Sequence, residues 1–157
     1  MLFRSGVLMH WAEKIADKII KRNPDKEEYV CAAGISPSGS IHIGNFRDIA
    51  TSLFVAKALV KKGKKARLLF SWDEYDRFRK VPVNVKAVDP DNEFEKYIGL
   101  PYTSVPNPFE TQHANYAKYF EAEFMDSIKK FGIEMDYRYQ TDMYTSEIGR
   151  ASCRERV

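Results

Sequence analysis

Cysteine is nearly missing from this 157-residue chain, which has two, Cys31 and Cys153. Cys31 stands inside an apolar run, where a buried thiol is expected. Cys153 falls in the last few residues. With only three histidines beside them, they build neither a disulfide framework nor a zinc-binding set, a usage that suits a reducing compartment. Long hydrophobic runs are missing as well. No uninterrupted apolar stretch approaches the roughly 18 residues of a membrane span, and no secretory leader is visible, so a cytoplasmic location is expected. There is no internal repeat. Charge of one sign is barely in excess, with 25 Lys and Arg against 22 Asp and Glu.

Even that excess sits at the ends. Leu2-Phe3-Arg4-Ser5 resembles the translation of a common short-read sequencing adapter, and Glu147–Val157 resembles the same adapter in its other orientation. Residues 1–8 and 147–157 are therefore expected to be a non-native leader and tail. The natural start is expected near Met9-His10-Trp11, and the natural gene is expected to continue past about Ser146. A genuine basic tail is the alternative. Without Arg4, Arg150, Arg154, Arg156, Glu147 and Glu155, 21 basic residues face 20 acidic ones. Net charge then gives no argument for nucleic acid. The cluster Lys61, Lys62, Lys64 and Lys65 reads as a solvated helix end, where cations suit the dipole. An RNA contact is the other reading.

The periodic segments fix the layout. Trp11, Ala12, Ile15, Ala16, Ile19 and Ile20 recur at helical spacing and stop before Asn23-Pro24, with Trp11 expected as a core anchor and His10 exposed. Tyr29–Gly34 is a short apolar strand. A helix is expected from Gly44 to about Lys62, with Phe46, Ile49, Ala50, Leu53, Phe54, Ala56 and Leu59 inward and Gly63 as its left-handed cap. Ala66–Ser71 is a second strand. From Trp72 to about Gln112 no period is sustained, and loops this long are usually functional or disordered. Tyr75, Phe78, Phe94, Tyr97, Tyr102 and Phe109 favour ordered packing there. Tyr116 to Phe131 marks another helix, stopped at Gly132, and Ile133–Tyr139 a third strand. His113 is expected to be structural, with a cap on that helix or reach into a pocket as the alternatives. The order is α/β: apolar strands separated by helices, a β-α-β-α-β parallel sheet with right-handed crossovers, the first half of a Rossmann-like, doubly wound sheet.

Two stretches carry chemistry. Gly34-Ile35-Ser36-Pro37-Ser38-Gly39-Ser40-Ile41-His42-Ile43-Gly44-Asn45 joins the first strand to the long helix. Backbone N–H groups at a helix start face an anion, and glycine permits close approach, so this is a seat for nucleotide phosphate. His42 there can stabilise charge on an ATP α-phosphate under attack by a carboxylate. Gly44 leaves room for adenine or ribose, and Asn45 caps the helix or contacts the ribose. The second stretch, Trp72-Asp73-Glu74-Tyr75-Asp76-Arg77-Phe78-Arg79-Lys80, follows the second strand and brings acids to the same sheet edge. Such acids can bind an ammonium or a magnesium ion. On one reading Asp73 or Asp76 accepts a substrate amine while Arg77 or Arg79 pairs internally; on the other, the loop is only mutual salt bridges, worth little when exposed.

Met9-His10-Trp11-Ala12, Gly34–Asn45, Trp72-Asp73-Glu74-Tyr75-Asp76-Arg77-Phe78-Arg79-Lys80-Val81-Pro82 and His113-Ala114-Asn115-Tyr116-Ala117 together resemble the N-terminal part of the class I, archaeal-type lysyl-tRNA synthetases. The resemblance covers residues 9–146. The His-Ile-Gly-Asn signature alone resembles any class I synthetase or related nucleotidyltransferase; the run through Pro82 narrows it to the lysyl family. The resemblance implies an aminoacyl-tRNA synthetase catalytic domain with the HIGH-type signature, using L-lysine, ATP and tRNA(Lys). Lysyl-adenylate forms first and the lysyl group then moves to tRNA. It places Pro37, Ser38, Gly39, His42, Gly44 and Asn45 on ATP, with His42 and Asn45 catalytic, and Gly34 and Ser36 on lysine. Asp73 and Asp76 are candidates for the amine ends of lysine. Ser36 stands where the family usually has Thr and keeps the hydroxyl. Mg2+ is expected with ATP, and no zinc or other protein-held metal is indicated. The family's second, Lys-Met-Ser-Lys-Ser-like signature is absent, so this fragment is expected to be inactive alone. Two alternatives stand beside it: another nucleotidyltransferase of the superfamily, complete in about this length, and a non-catalytic RNA-binding domain derived from a synthetase.

Overall fold

In the computed structural model, which describes residues 9–146, helix α1 (Trp11–Arg22) starts at His10 and ends at Asn23. The end segments read as non-native lie outside the described residues. His10 Nδ1 accepts from Ala12 N at 3.3 Å, giving one free helical N–H a partner. Strand β1 (Glu28–Ile35), helix α2 (Ile43–Lys61) and strand β2 (Lys65–Trp72) follow. Gly63 takes the left-handed conformation expected of it, with φ +75°.

The region from 72 to 112 is folded. It contains a short helix α3 (Val83–Lys86) and two 3-10 turns, Glu93–Tyr97 and Tyr102–Ser104. Phe78, Val81, Val85, Tyr102 and Val105 join Tyr116, Ala117 and Phe120 in a core of their own, with Phe94, Tyr97 and Phe109 against it. Its aromatics are ordered, as their number predicts. Helix α4 (Tyr116–Lys130), strand β3 (Asp136–Tyr139) and helix α5 (Gln140–Thr145) complete the described chain. β3 is shorter than the expected Ile133–Tyr139. Ile133 and Met135 pack on the main core without joining the ladder, which pairs Leu69–Trp72 with Asp136–Tyr139. The helix α5 carries no apolar period and was not expected.

The three strands are parallel in the order β1-β2-β3. This is the α/β, half-Rossmann sheet that the alternation of elements predicts. Gly34 lies opposite Ser71, and Ile35 opposite Trp72. Side chains alternate along each strand. Cys31, Ala33, Ile35, Leu68, Phe70 and Trp72 therefore share the face that packs on α2 and α4. The other face carries Val30, Ala32, Gly34, Arg67 and Arg138, all exposed.

Two aromatic expectations fail for one reason. Trp11 is 44% exposed and Phe54 46%. The α1–α2 contact is made by Ala12, Ala16, Val55 and Ala58. Small residues let the helices approach closely, and the large rings are displaced outward, where Trp11, Phe54 and His10 pack on one another. Cys31 is half-buried, and burial raises its thiol pKa.

The lysine cluster is engaged. Lys61 meets Glu13 at 2.6 Å and Lys62 meets Asp17 at 2.7 Å, tying α2 to α1. Lys64 donates to the Pro24 carbonyl at 3.1 Å, and Lys65 lies 3.5 Å from Glu28. These contacts tie the end of α2 and the start of β2 to neighbouring elements, while the Lys61 and Lys65 side chains each remain 75% exposed.

Candidate active site

Parallel strands place their C-terminal ends on one edge of the sheet, where α/β folds bind ligands. Here that edge gathers Gly34, Ile35 and Ser36 after β1, Trp72, Asp73 and Glu74 after β2, and Gln140 after β3. Asp73 N continues the ladder by donating to Ile35 O at 3.1 Å.

The four residues proposed for lysine meet at this edge. Ser36 Oγ donates to Asp76 Oδ2 at 2.8 Å. A Cβ added to Gly34 would stand 3.0 Å from Ser71 O and 3.6 Å from Asp73 Oδ2, so the carboxylate lies over bare backbone. Asp73 Oδ1 accepts from Gln140 Nε2 at 3.2 Å and from Ser71 Oγ at 3.4 Å. Burial raises the Asp73 carboxyl above the usual aspartate range. The Gln140 bond opposes this, and Asp76 and Glu74 add like-charge repulsion.

The acidic loop fits neither sequence reading whole. Arg77 and Arg79 form no ion pair among the described residues, so the expected internal pairing does not occur, nor does a web of salt bridges. Glu74 points inward and is 1% exposed. Its Oε2 accepts from Gln140 N at 3.1 Å and its Oε1 from Thr141 N at 3.0 Å. It therefore holds the start of α5, a role no local pattern reveals.

The signature loop is supported from the 72–112 region and α4. Pro37 is buried. Tyr116 OH donates to Ser38 O at 2.9 Å, and a Cβ at Gly39 would meet Pro82 at 3.5 Å. Burial pushes the Tyr116 phenol far above its ordinary value, which keeps it protonated as a donor. His42 and Asn45 form a reciprocal cap on α2. His42 Nδ1 accepts from Gly44 N at 3.1 Å, and Asn45 Oδ1 accepts from His42 N at 3.4 Å. With Nδ1 accepting, the neutral ring carries its proton on Nε2, a donor suited to a phosphate oxygen. A Cβ at Gly44 would stand 2.9 Å from both Nδ1 and Cε1 of His42. The room that glycine provides is thus taken by the imidazole itself.

His113 neither caps α4 nor reaches this edge. The cap is Asn115, whose Oδ1 accepts from Lys118 N at 2.9 Å, while the His113 ring packs edge-on against Tyr119. Sequence reasoning also passed over Ser71, Tyr116 and Gln140. For Gln140 a signal existed: it directly follows the last residue of a parallel strand.

A family model for class I tRNA synthetases (K) matches residues 9–156. The chain is 46% identical over 140 residues to the lysine–tRNA ligase of Treponema pallidum, covering 89% of this chain and 26% of that protein. It is 44% identical over 137 residues to the lysine–tRNA ligase of Pyrococcus horikoshii, covering 87% and 25%. The Streptomyces coelicolor lysine–tRNA ligase is 43% identical over 144 residues, covering 89% and 24%. The chain thus spans about a quarter of the length of these relatives. With the half-Rossmann sheet and the signature loop at its edge, the chain belongs to the class I tRNA synthetases of the lysine type.

Proposed function

We propose that this chain is part of a lysine–tRNA ligase. The whole protein would activate L-lysine with ATP to lysyl-adenylate and pyrophosphate, then transfer lysine to tRNA(Lys) in the cytoplasm. The observation that carries this reading is the joining of the two stretches at one sheet edge through the Ser36–Asp76 hydrogen bond.

In this reading the lysine carboxylate attacks the ATP α-phosphorus, and pyrophosphate leaves. His42 Nε2–H and the Asn45 amide donate to phosphate oxygens as negative charge builds there, which lowers the barrier by preorganised electrostatics. Pro37, Ser38, Gly39 and Gly44 shape the loop beneath the nucleotide. Gly34 lets Ser71 and Asp73 lie close against the β1 backbone, which sets the carboxylate at the lysine site. Asp73 and Asp76 hold its ammonium groups, and Ser36 orients Asp76. Mg2+ would enter as the metal of MgATP, held by the phosphates. Among the described residues no three of His, Cys, Asp and Glu are grouped as a protein-held metal needs.

The test is pyrophosphate exchange. The full-length protein is expected to exchange in a lysine-dependent way, and the 157-residue chain is expected to show none. Robust exchange by the short chain would overturn the second expectation; none by the full-length protein would overturn the assignment.

A further inference from the structure

We propose that Gln140 is a positioning residue that sets specificity for a cationic substrate by aiming the Asp73 carboxylate over Gly34. The inference rests on the lysine-activating reading above. Gln140 Nε2 donates to Ser71 Oγ at 3.1 Å and to Asp73 Oδ1 at 3.2 Å. Ser71 Oγ lies 3.4 Å from the same Oδ1 and donates to it. Two donors on one oxygen fix the rotation of the carboxyl group. The other oxygen, Oδ2, is left 3.6 Å from where a Gly34 Cβ would stand; Ser71 O and Cβ lie 3.0 and 3.4 Å from the same point, so glycine there lets Ser71 and Asp73 pack closely on the β1 backbone.

Gln140 is itself fixed. Its backbone N–H and that of Thr141 are gripped by buried Glu74, the neighbour of Asp73. The residue after Asp73 thus holds the residue that holds Asp73.

The choice of an amide matters. Lys or Arg at this position would orient Asp73 and also neutralise it. A neutral donor orients the carboxylate and leaves its charge for the ligand. Asp73, Glu74 and Asp76 lie within four residues, and none forms an ion pair among the described residues. A ligand ammonium at Oδ2 would supply the missing positive charge, and a neutral isostere would leave a half-buried carboxylate unpaired.

The test uses the full-length protein in lysine-dependent pyrophosphate exchange. Gln140→Met keeps the side-chain length and removes the donors, while the Glu74 grip, made to backbone, remains. Its lysine KM is expected to rise roughly tenfold or more, as for a lost hydrogen bond to a charged group. Its KM for ATP and its Tm stay near wild type. Gln140→Leu, which also removes the donors and adds no charge, raises lysine KM likewise and supplies the same reading if the Met variant does not fold. An unchanged lysine KM, or lysine and ATP KM rising together, overturns the inference. Wild-type protein without lysine-dependent exchange overturns the functional assignment instead, so the two failures are distinct.

Discussion

Ser36 Oγ donates to Asp76 Oδ2 at 2.8 Å, joining the loop after β1 to the loop after β2 across forty positions of sequence. Hydrogen bonds to a charged group contribute about 1.5–3 kcal/mol. Asp76 is exposed, so water replaces part of this bond. If Asp76 holds a lysine ammonium, Ser36→Ala in the full-length protein raises lysine KM a few-fold to roughly tenfold. Ser36→Thr keeps the hydroxyl and stays near wild type. Equal KM values for the Ala and Thr variants would remove Ser36 from the lysine site.

Gly44→Ala separates capping from catalysis. The new methyl would stand 2.9 Å from the His42 ring, which must swing away. Losing the cap costs about 1 kcal/mol, and replacing glycine with alanine in a helix returns up to about the same. The Tm is expected to stay within about 3 °C. If His42 serves the phosphates as proposed, exchange activity falls roughly tenfold to a hundredfold, because the imidazole is displaced. Unchanged activity would mean the placement of His42 is not needed.

Tyr116→Phe removes the donor to Ser38 O and leaves the ring packing intact. Ser38 is exposed, so water replaces part of the bond, and the loss is about 1 kcal/mol or less. ATP KM is expected to rise a few-fold, with lysine KM unchanged. The reverse pattern would show that the loop over Tyr116 serves the amino acid.

Asp73 gives a pH-dependent test. Its folded pKa is raised, chiefly by burial, with the like charges of Asp76 and Glu74 adding to it. The ionised form therefore costs stability. The cost is absent below the unfolded pKa of about 3.9, appears as pH rises through the folded pKa, and is full above it. Asp73→Asn keeps an acceptor for Gln140 and removes the charge. Its Tm at neutral pH is expected to equal or exceed that of wild type, the difference shrinking as pH falls toward 4, while lysine-dependent exchange is lost. A neutral-pH Tm below wild type, with exchange retained, would contradict both the burial argument and the amine-binding role.

Much of the fold was legible because its signals are local. Asn23, Gly63 and Gly132 punctuate the helices, and apolar runs mark β1 and β2. The positions of Trp11 and Phe54 were not legible, since they depend on how closely two alanine-faced helices approach. β3 was overread because Ile133 and Met135 are apolar for packing and not for pairing. In the site, the His42–Asn45 cap could be read from neighbours in the chain. The Glu74–Gln140–Asp73 chain joins residues 66 and 67 positions apart, and no short-range pattern encodes such a contact.

The most direct measurement is ATP–pyrophosphate exchange by the full-length protein with lysine, with arginine and with no amino acid, beside its His42→Ala variant. Exchange with lysine alone, reduced roughly a hundredfold or more by the substitution, is the predicted result. Exchange that is indifferent to the amino acid, or that His42→Ala leaves unchanged, would contradict it.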